Sequence, residues 1–205
     1  MLNVDQRQQL YALLCALFSY PDRELLEQLA SDRLLQTALL LDDMEGPPVV
    51  GGERLLEELQ VAYTDLFINR RGGVPAPPYG SIYLDPGQQL FGPSTQAVAA
   101  LYQGEGLVLD QSSEPPDYLP TELEFLYFLV DKEAQGLQRQ ELAVVQSAMA
   151  RQARFFGDYL APWVSEFCRR LRSDPLVHPW YRWSAALLAR FCTEEEKLLA
   201  SIAQV

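Results

Sequence analysis

Residues 114–127 read EPPDYLPTELEFLY, an acidic, proline-rich stretch that leads into an apolar run. Apolar residues in this run and just after it recur every three or four residues, and they are Leu119, Leu123, Leu126, Tyr127 and Val130. Such spacing places them on one face of a helix, so the sequence predicts that they form its buried stripe. The helix is entered through a proline-stiffened elbow, residues 114–118.

Helical spacing extends along nearly the whole chain. Helices are predicted over Val4–Phe18, Asp22–Ala30, Asp32–Leu41, Glu53–Phe67, Ser94–Gly104, Leu119–Gln135, Gln138–Phe156, Asp158–Ser173 and Leu176–Ala203. No stretch alternates with period two for long enough to build a sheet. The 205 residues suffice for one sizeable core and contain no convincing linker or repeat. The prediction is therefore an all-α protein, a single compact domain over residues 1–205 with roughly eight to ten helices.

One long segment interrupts the helical pattern. Residues 69–93, NRRGGVPAPPYGSIYLDPGQQLFGP, hold five of the 14 prolines and five of the 12 glycines. Prolines and glycines at this density exclude most regular structure. The segment also carries large apolar residues, which are Tyr79, Ile82, Tyr83, Leu84, Leu90 and Phe91. We therefore expect a long proline- and glycine-rich loop that is ordered by packing.

Charge and cysteine usage narrow the class of protein. The formal net charge of −12 argues against a nucleic-acid surface, which needs a basic face, and is compatible with a basic partner. The three cysteines, Cys15, Cys168 and Cys192, have no metal-ligand spacing and are odd in number, and each lies in an apolar helical pattern, so buried free thiols are expected. No signal-peptide pattern and no apolar run of about 18 residues is present, which predicts a cytoplasmic protein without a membrane span.

The motifs of common enzymes are absent from the sequence. There is no phosphate-binding glycine loop, no dinucleotide fingerprint, no HExxH and no GxSxG. The single histidine, His178, lies between a proline and aromatic residues, where a packed or capping role is more common than a base. We therefore predict a protein that is not an enzyme, with no catalytic residues, no metal site and no cofactor of its own.

Two roles are possible for the acidic residues around the elbow, helix capping and peptide binding. Glu122 and Glu124 are two residues apart and diverge on a helix, so they cannot act together on one substrate atom. Asp117 or Thr121 is predicted to cap the helix, and Thr121-x-x-Glu124 matches a capping box. The same acids are also predicted to lie at the rim of an apolar groove, which would suit a peptide with apolar and arginine side chains.

Four segments carry a resemblance to a known family. They are YTDLFI (63–68), PAPPYGSIYLD (75–85), EPPDYLPTELEFLYFL (114–129) and, more weakly, FFGDYLAPWVSEFC (155–168). In their order and separation the chain resembles the TorD/DmsD/NarJ family of redox-enzyme maturation proteins, which are all-helical cytoplasmic chaperones for molybdoenzymes. It departs from the family at Tyr118, where relatives usually have His, and at Tyr79, where they often have Trp.

The resemblance implies a chaperone that binds the twin-arginine signal peptide or the apo form of a molybdopterin-containing oxidoreductase subunit. It would hold the subunit back from export until the cofactor is inserted. The residues that would border the peptide site are Tyr79, Ser81, Tyr83, Glu114, Pro115, Asp117, Tyr118 and Glu122. Each also has a structural alternative as a loop anchor, a turn former or a helix cap.

Two other functions stay open. The chain could be a NarJ-like assembly factor for a cytoplasmic-facing respiratory reductase subunit, which would share the fold and differ in its client. A nucleotide-binding or nucleotide-hydrolysing protein is a further alternative, although RRGGVP at 70–75 lacks the Lys-Ser/Thr that would hold phosphate and magnesium. The resemblance allows either a monomer or a helix-exchanged homodimer.

Overall fold

The computed structural model describes residues 2–30, 36–41, 44–48, 54–108 and 114–202, and in this part the all-α prediction is confirmed. The helices are α1 (Val4–Phe18), α2 (Arg23–Ala30), α3 (Leu55–Tyr63), α4 (Ser81–Leu84), α5 (Pro93–Gly104), α6 (Leu119–Gln138), α7 (Leu142–Phe155), α8 (Ala161–Ser173) and α9 (Pro179–Ile202). Two π-helical turns, Thr64–Ile68 and Phe156–Leu160, continue α3 and join α7 to α8.

Helix α6 packs against both α1 and α7, while α8 packs against α9. Buried side chains from these helices and from α3 form one hydrophobic cluster. The predicted stripe of α6 is correct at its four aliphatic positions, but Tyr127 is 40% exposed. Tyr127 is turned about 80° from Leu119 around the helix axis. Two neighbouring helices bury the opposite side of α6, so Phe125 and Leu129 take its place in the core.

The observed ends of the helices can be compared with the predicted ones, and they agree best where a capping side chain is present. Helix α1 has the predicted bounds, and Asn3 and Gln6 form a capping box at its start. Helix α9 begins three residues later than predicted, because His178 Nδ1 accepts a hydrogen bond from the backbone N–H of Trp180 at 3.2 Å. The predicted break before Asp158 is wrong, since the π-helical turn carries the chain into α8 without a loop.

Parts of three other predictions fall outside the described residues. Of the helix predicted over Asp32–Leu41, residues 36–41 are described, and residues 36–38 are helical. The beginning of the helix predicted from Glu53 and the end of the one predicted to reach Ala203 also lie outside that part. In the loop of residues 69–93 the structure has the short helix α4, and Leu90 and Phe91 are exposed rather than packed, contrary to expectation.

A buried ionic cluster fastens four helices together. Arg7 of α1 is 1% exposed, and its Nε donates to both carboxylate oxygens of Glu195 on α9, at 2.8 and 3.1 Å. Its other guanidinium nitrogens donate to Glu133 on α6, at 2.8 Å, and to Gln152 on α7. None of these four residues was among those predicted from the sequence to have a particular role.

The three cysteines are free thiols. Cys168 is buried, while Cys15 and Cys192 are half-buried, so the expectation of a buried free thiol is fully met at Cys168 alone. Burial raises the pKa of Cys15 and of Cys168 to about 12. None of the described helices is long and apolar enough to cross a membrane.

Candidate functional site

The loop and the elbow, which are distant in sequence, meet in the structure. Tyr79 and Tyr118 form an isolated antiparallel β-bridge. The N–H of Gly80 donates to the carbonyl of Asp117 at 2.9 Å, and the N–H of Leu119 donates to the carbonyl of Pro78 at 2.9 Å. Two of the segments that carry the family resemblance are therefore held side by side by backbone hydrogen bonds.

Asp117 caps a helix, but not the predicted one. Its Oδ2 accepts a hydrogen bond from the backbone N–H of Ser81 at 2.7 Å, at the first residue of α4. Helix α6 instead begins after Tyr118, which makes no side-chain cap. The predicted capping box of Thr121 and Glu124 is therefore wrong, because the N-cap of α6 is Tyr118, three residues before Thr121, and a proline lies in the first turn.

Glu122 is fully buried beneath the junction of loop and elbow. Its Oε2 accepts a hydrogen bond from the indole N–H of Trp163 at 3.2 Å. Burial, and secondly the nearby charge of Asp117, raise the pKa of Glu122 well above its ordinary value. The neutral acid is the form that this environment favours, since an ionised carboxylate would be desolvated beside a second one.

Three buried oxygens lie around this acid without a hydrogen-bond partner among the described residues: Oε1 of Glu122, Oδ1 of Asp117 and Oγ of Ser81. A Cβ atom on Gly80 would lie 3.2 Å from the Trp163 indole nitrogen and 3.3 Å from Oε1 of Glu122. Glycine thus allows the close approach of loop, elbow and α8. The prediction that the acids lie at a groove rim is wrong for Asp117 and Glu122, which are 1% and 0% exposed.

Tyr118 directs its hydroxyl group into the protein. The hydroxyl bonds with that of Tyr63, and both can donate to the backbone carbonyl of Phe18 at 3.2 Å. The ring of Tyr118 lies 5.5 Å from that of Tyr79, whose hydroxyl donates to Oε2 of Glu114 at 2.9 Å. Glu114 is exposed, so this pair places a carboxylate and an aromatic ring together at the surface.

Tyr83 makes an aromatic contact with α8. Its ring stacks on Trp163 with a centroid distance of 5.3 Å, and the guanidinium carbon of Arg170 lies 4.8 Å from its centroid. Arg170 in turn donates to Glu166 at 2.9 Å. Trp163 lies in the weakest of the four family segments, and Glu166 and Arg170 were not among the predicted site residues. The charged residues that follow Trp163 in the sequence are the signal that could have identified them.

The eight predicted site residues thus divide by exposure. Glu114 is exposed and Tyr79 and Tyr83 are half-buried, whereas the others are buried: Ser81, Pro115, Asp117, Tyr118 and Glu122. Among the described residues no group of three or more His, Cys, Asp or Glu side chains could hold a metal ion. What the exposed part offers chemically is carboxylate acceptors beside aromatic rings, a combination suited to guanidinium groups and apolar side chains.

The basic loop considered for nucleotides is engaged elsewhere. Arg70 forms ion pairs with Asp174 at 3.0 Å and with Asp65 at 3.6 Å. A cleft of about 570 Å³ lies apart from the predicted site residues, between α8 and α9, and Cys168, Cys192 and Arg172 are among its lining.

Comparisons with known proteins place these features in a family. Residues 22–169 match the family described as the nitrate reductase delta subunit. A chaperone protein TorD from Psychrobacter sp. (strain PRwf-1) is 29% identical over 98% of this chain and 85% of its own length. The Tat proofreading chaperone DmsD of Salmonella typhimurium is 29% identical over 72% of this chain and 71% of its own. A solved structure described as a redox enzyme maturation protein, from Archaeoglobus fulgidus, superposes with a TM-score of 0.55 at 26% identity, over 92% of this chain and 93% of that one.

Proposed function

The chain belongs to the nitrate reductase delta subunit family, to which the TorD and DmsD chaperones it resembles also belong, and on this premise we propose that it is a molybdoenzyme-specific chaperone. Its client is a molybdopterin-containing oxidoreductase subunit, which it binds through the twin-arginine signal peptide and in its apo form. Binding in the cytoplasm delays export until the cofactor is in place. The family's role is to bind and protect a client rather than to catalyse a reaction.

The observation that carries this proposal is the junction of the loop and the elbow. There the hydroxyl of Tyr79 holds the carboxylate of Glu114 at the surface. A guanidinium group is bound well by a carboxylate next to an aromatic ring, because it can hydrogen-bond to one and stack on the other. The formal net charge of −12 adds a long-range attraction for a basic peptide.

The buried members of the predicted site act through this surface rather than by contact. Asp117 and Ser81 fix the start of α4, and Tyr118 ties the elbow to the carbonyl of Phe18. A rigid support of this kind lowers the entropy cost of binding, since the exposed groups have little freedom left to lose. We therefore assign direct peptide contact to Tyr79, Tyr83 and Glu114.

A second client class deserves a test because the family that matches the chain is described as the nitrate reductase delta subunit. A NarJ-like factor would bind a reductase subunit that faces the cytoplasm and need not recognise a twin-arginine motif. The two possibilities differ in whether two arginines in the peptide are required for binding.

The test is calorimetric titration of the purified protein with synthetic twin-arginine signal peptides from the molybdoenzyme subunits of its own genome. Saturable binding that weakens with salt and is lost when both arginines are replaced by lysine supports the proposal. Binding that ignores this replacement favours the NarJ-like alternative, and no binding to any such peptide contradicts the proposal.

Two matched variants locate the site on the protein. Glu114→Gln removes the exposed carboxylate at the elbow and is expected to weaken binding about tenfold. Glu141→Gln removes an exposed carboxylate beyond the far end of α6, about 30 Å away along a helix of 20 residues, and leaves affinity unchanged. Equal effects of the two variants would assign the attraction to overall charge instead of the elbow.

A further inference from the structure

The ring of Tyr83 contacts two residues of the same helix, α8. Trp163 stacks on this ring at a centroid distance of 5.3 Å with an interplanar angle of 24°, and the guanidinium carbon of Arg170 lies over it, 4.8 Å from its centroid. Trp163 and Arg170 are seven residues apart, which places them on the same side of the helix. Tyr83 therefore packs along one side of α8.

The guanidinium group on Tyr83 also has a carboxylate partner. Nε of Arg170 donates to Oε1 of Glu166 at 2.9 Å. Arg169 donates to the same carboxylate through Nε at 2.6 Å and through a terminal nitrogen at 2.7 Å. These hydrogen bonds hold the pKa of Glu166 down at about 2, so it remains an anion at any physiological pH. Glu166 thus binds two consecutive arginines of its own chain.

Ion pairs between residues three or four apart on a helix are common and contribute little, so Glu166 with its two arginines would be unremarkable alone. The additional observation is Tyr83, which comes from the loop and belongs to a different element. Through Trp163 this contact continues to the buried acid Glu122, so it is part of the same packed unit as the loop and elbow.

The two half-buried tyrosines of the loop each lie near a carboxylate. Tyr79 precedes the single turn of α4 and pairs with Glu114, and Tyr83 lies within that turn and adjoins Glu166 through Arg170. Each end of α4 therefore combines a tyrosine ring with a carboxylate. The first carboxylate belongs to the elbow, and the second binds an arginine of the chain itself.

We propose that Tyr83 and Glu166 form a second guanidinium subsite of the peptide-binding surface, and that Arg170 is an internal occupant which a client arginine displaces. The inference rests on the proposed function. The subsite is accessible, because the side chains of Arg170 and Glu166 are 35% and 38% exposed. An internal competitor lowers the apparent affinity by the fraction of time for which it occupies the subsite. It also keeps Tyr83 and Glu166 in place when no client is bound.

This arrangement gives an unusual expectation, namely that removing a contact strengthens binding. Arg170→Met keeps the apolar stem of the side chain and removes the guanidinium group. We expect it to bind the twin-arginine peptide about three- to tenfold more tightly than the unmodified protein, as calorimetry would measure. Glu166→Gln removes the anion that the client arginine would pair with, and it is expected to weaken binding about threefold or more.

A charge-matched control separates this effect from general attraction. Arg154→Met also removes one exposed cation, at the end of α7, where Arg154 forms an exposed ion pair of 3.9 Å with Asp158. A gain in affinity for Arg170→Met that exceeds the gain for Arg154→Met supports the subsite. Arg170→Lys keeps the charge but not the planar group, and an intermediate affinity is expected. Thermal melting of each variant verifies that it is folded.

The outcomes also distinguish this inference from the proposed function. If the unmodified protein binds the peptide and Arg170→Met binds no more tightly than Arg154→Met, the subsite is wrong and the chaperone assignment stands. If Arg170→Met binds although the unmodified protein does not, the internal competitor is supported. If no variant binds the peptide, both proposals are overturned.

Discussion

The indole N–H of Trp163 donates a hydrogen bond to Oε2 of Glu122, at 3.2 Å, where both side chains are completely buried. This bond links α8 to the first turn of α6, directly below the junction of the loop and the elbow. Burial and, secondly, the charge of Asp117 raise the pKa of this acid, which favours its neutral form. A buried acid in this state makes the stability of the protein depend on pH.

Glu122→Gln is expected to stabilise the protein at neutral pH. The folded-state pKa of Glu122 is raised above the unfolded value of about 4.5, so its contribution to stability is fully present below that pH. The contribution is lost as pH rises from about 4.5 through the raised pKa. Glutamine is neutral throughout and can still accept from Trp163, so the variant should have a larger free energy of unfolding than the unmodified protein at pH 7.

Urea denaturation at several pH values between 4 and 8 measures this difference. The gap in unfolding free energy between Glu122→Gln and the unmodified protein should widen as pH rises. Glu124→Gln, two residues away and exposed, is the control and should show no such trend. A constant gap would mean that Glu122 is ionised in the folded protein.

Gly80→Ala is expected to destabilise the protein by about 1 to 3 kcal/mol through overpacking. The backbone angles at Gly80, φ −57° and ψ −41°, suit alanine, so the cost comes from contacts alone. The added Cβ would lie 3.2 Å from the Trp163 indole nitrogen and 3.3 Å from Oε1 of Glu122. Gly157→Ala is the matched control, because its Cβ would meet nothing within 4 Å. Denaturation of both variants should show a loss only for the first.

The sequence predicts the helices well because their signal is local. Periodicity predicts the bounds of α1 to the residue, and His178 could be placed as a capping or packed residue from its neighbours. The partner of a buried polar group is not a local property. Glu122 meets Trp163 41 positions away, and Arg7 meets Glu195 188 positions away.

A usable signal for these pairs does exist in the sequence. Arg7 lies at helical spacing from Leu10, Leu14 and Leu17, on the apolar stripe of α1. Glu122 likewise lies on the buried side of α6. A charged residue on an apolar stripe must be neutralised or paired, because an isolated buried charge is too costly. This rule predicts that a partner exists without saying which residue it is, and so it could not have identified the site.

Arg7→Met is expected to cost about 3 to 5 kcal/mol of unfolding free energy. The change leaves the carboxylates of Glu195 and Glu133 in the core without the guanidinium group that binds both. The triple variant Arg7→Met, Glu133→Leu, Glu195→Leu should recover much of that loss, since a buried ion cluster contributes little stability beyond that of an apolar cluster. A triple variant as unstable as the single one would show that the cluster stabilises the fold outright.

Tyr118→Phe is expected to weaken the fold without changing how the peptide binds. The hydroxyl of Tyr118 bonds to that of Tyr63 and to the carbonyl of Phe18, and all these groups lie inside the protein. Loss of the bond should cost about 1 kcal/mol. Because the two hydroxyl groups touch, Tyr63→Phe and Tyr118→Phe should be non-additive when combined in a double-mutant cycle.

Peptide affinity distinguishes this interior role of Tyr118 from a role in contacting the peptide. In Tyr118→Phe the ring remains to support Tyr79, 5.5 Å away, and Tyr79 still positions Glu114. We therefore expect affinity for the twin-arginine peptide to stay within about twofold, well below the effect of losing a charged hydrogen bond. A folded Tyr118→Phe protein that no longer binds would show that the hydroxyl leaves its interior partners and turns to the peptide. In that case the tyrosine at position 118 would itself take part in selecting the client.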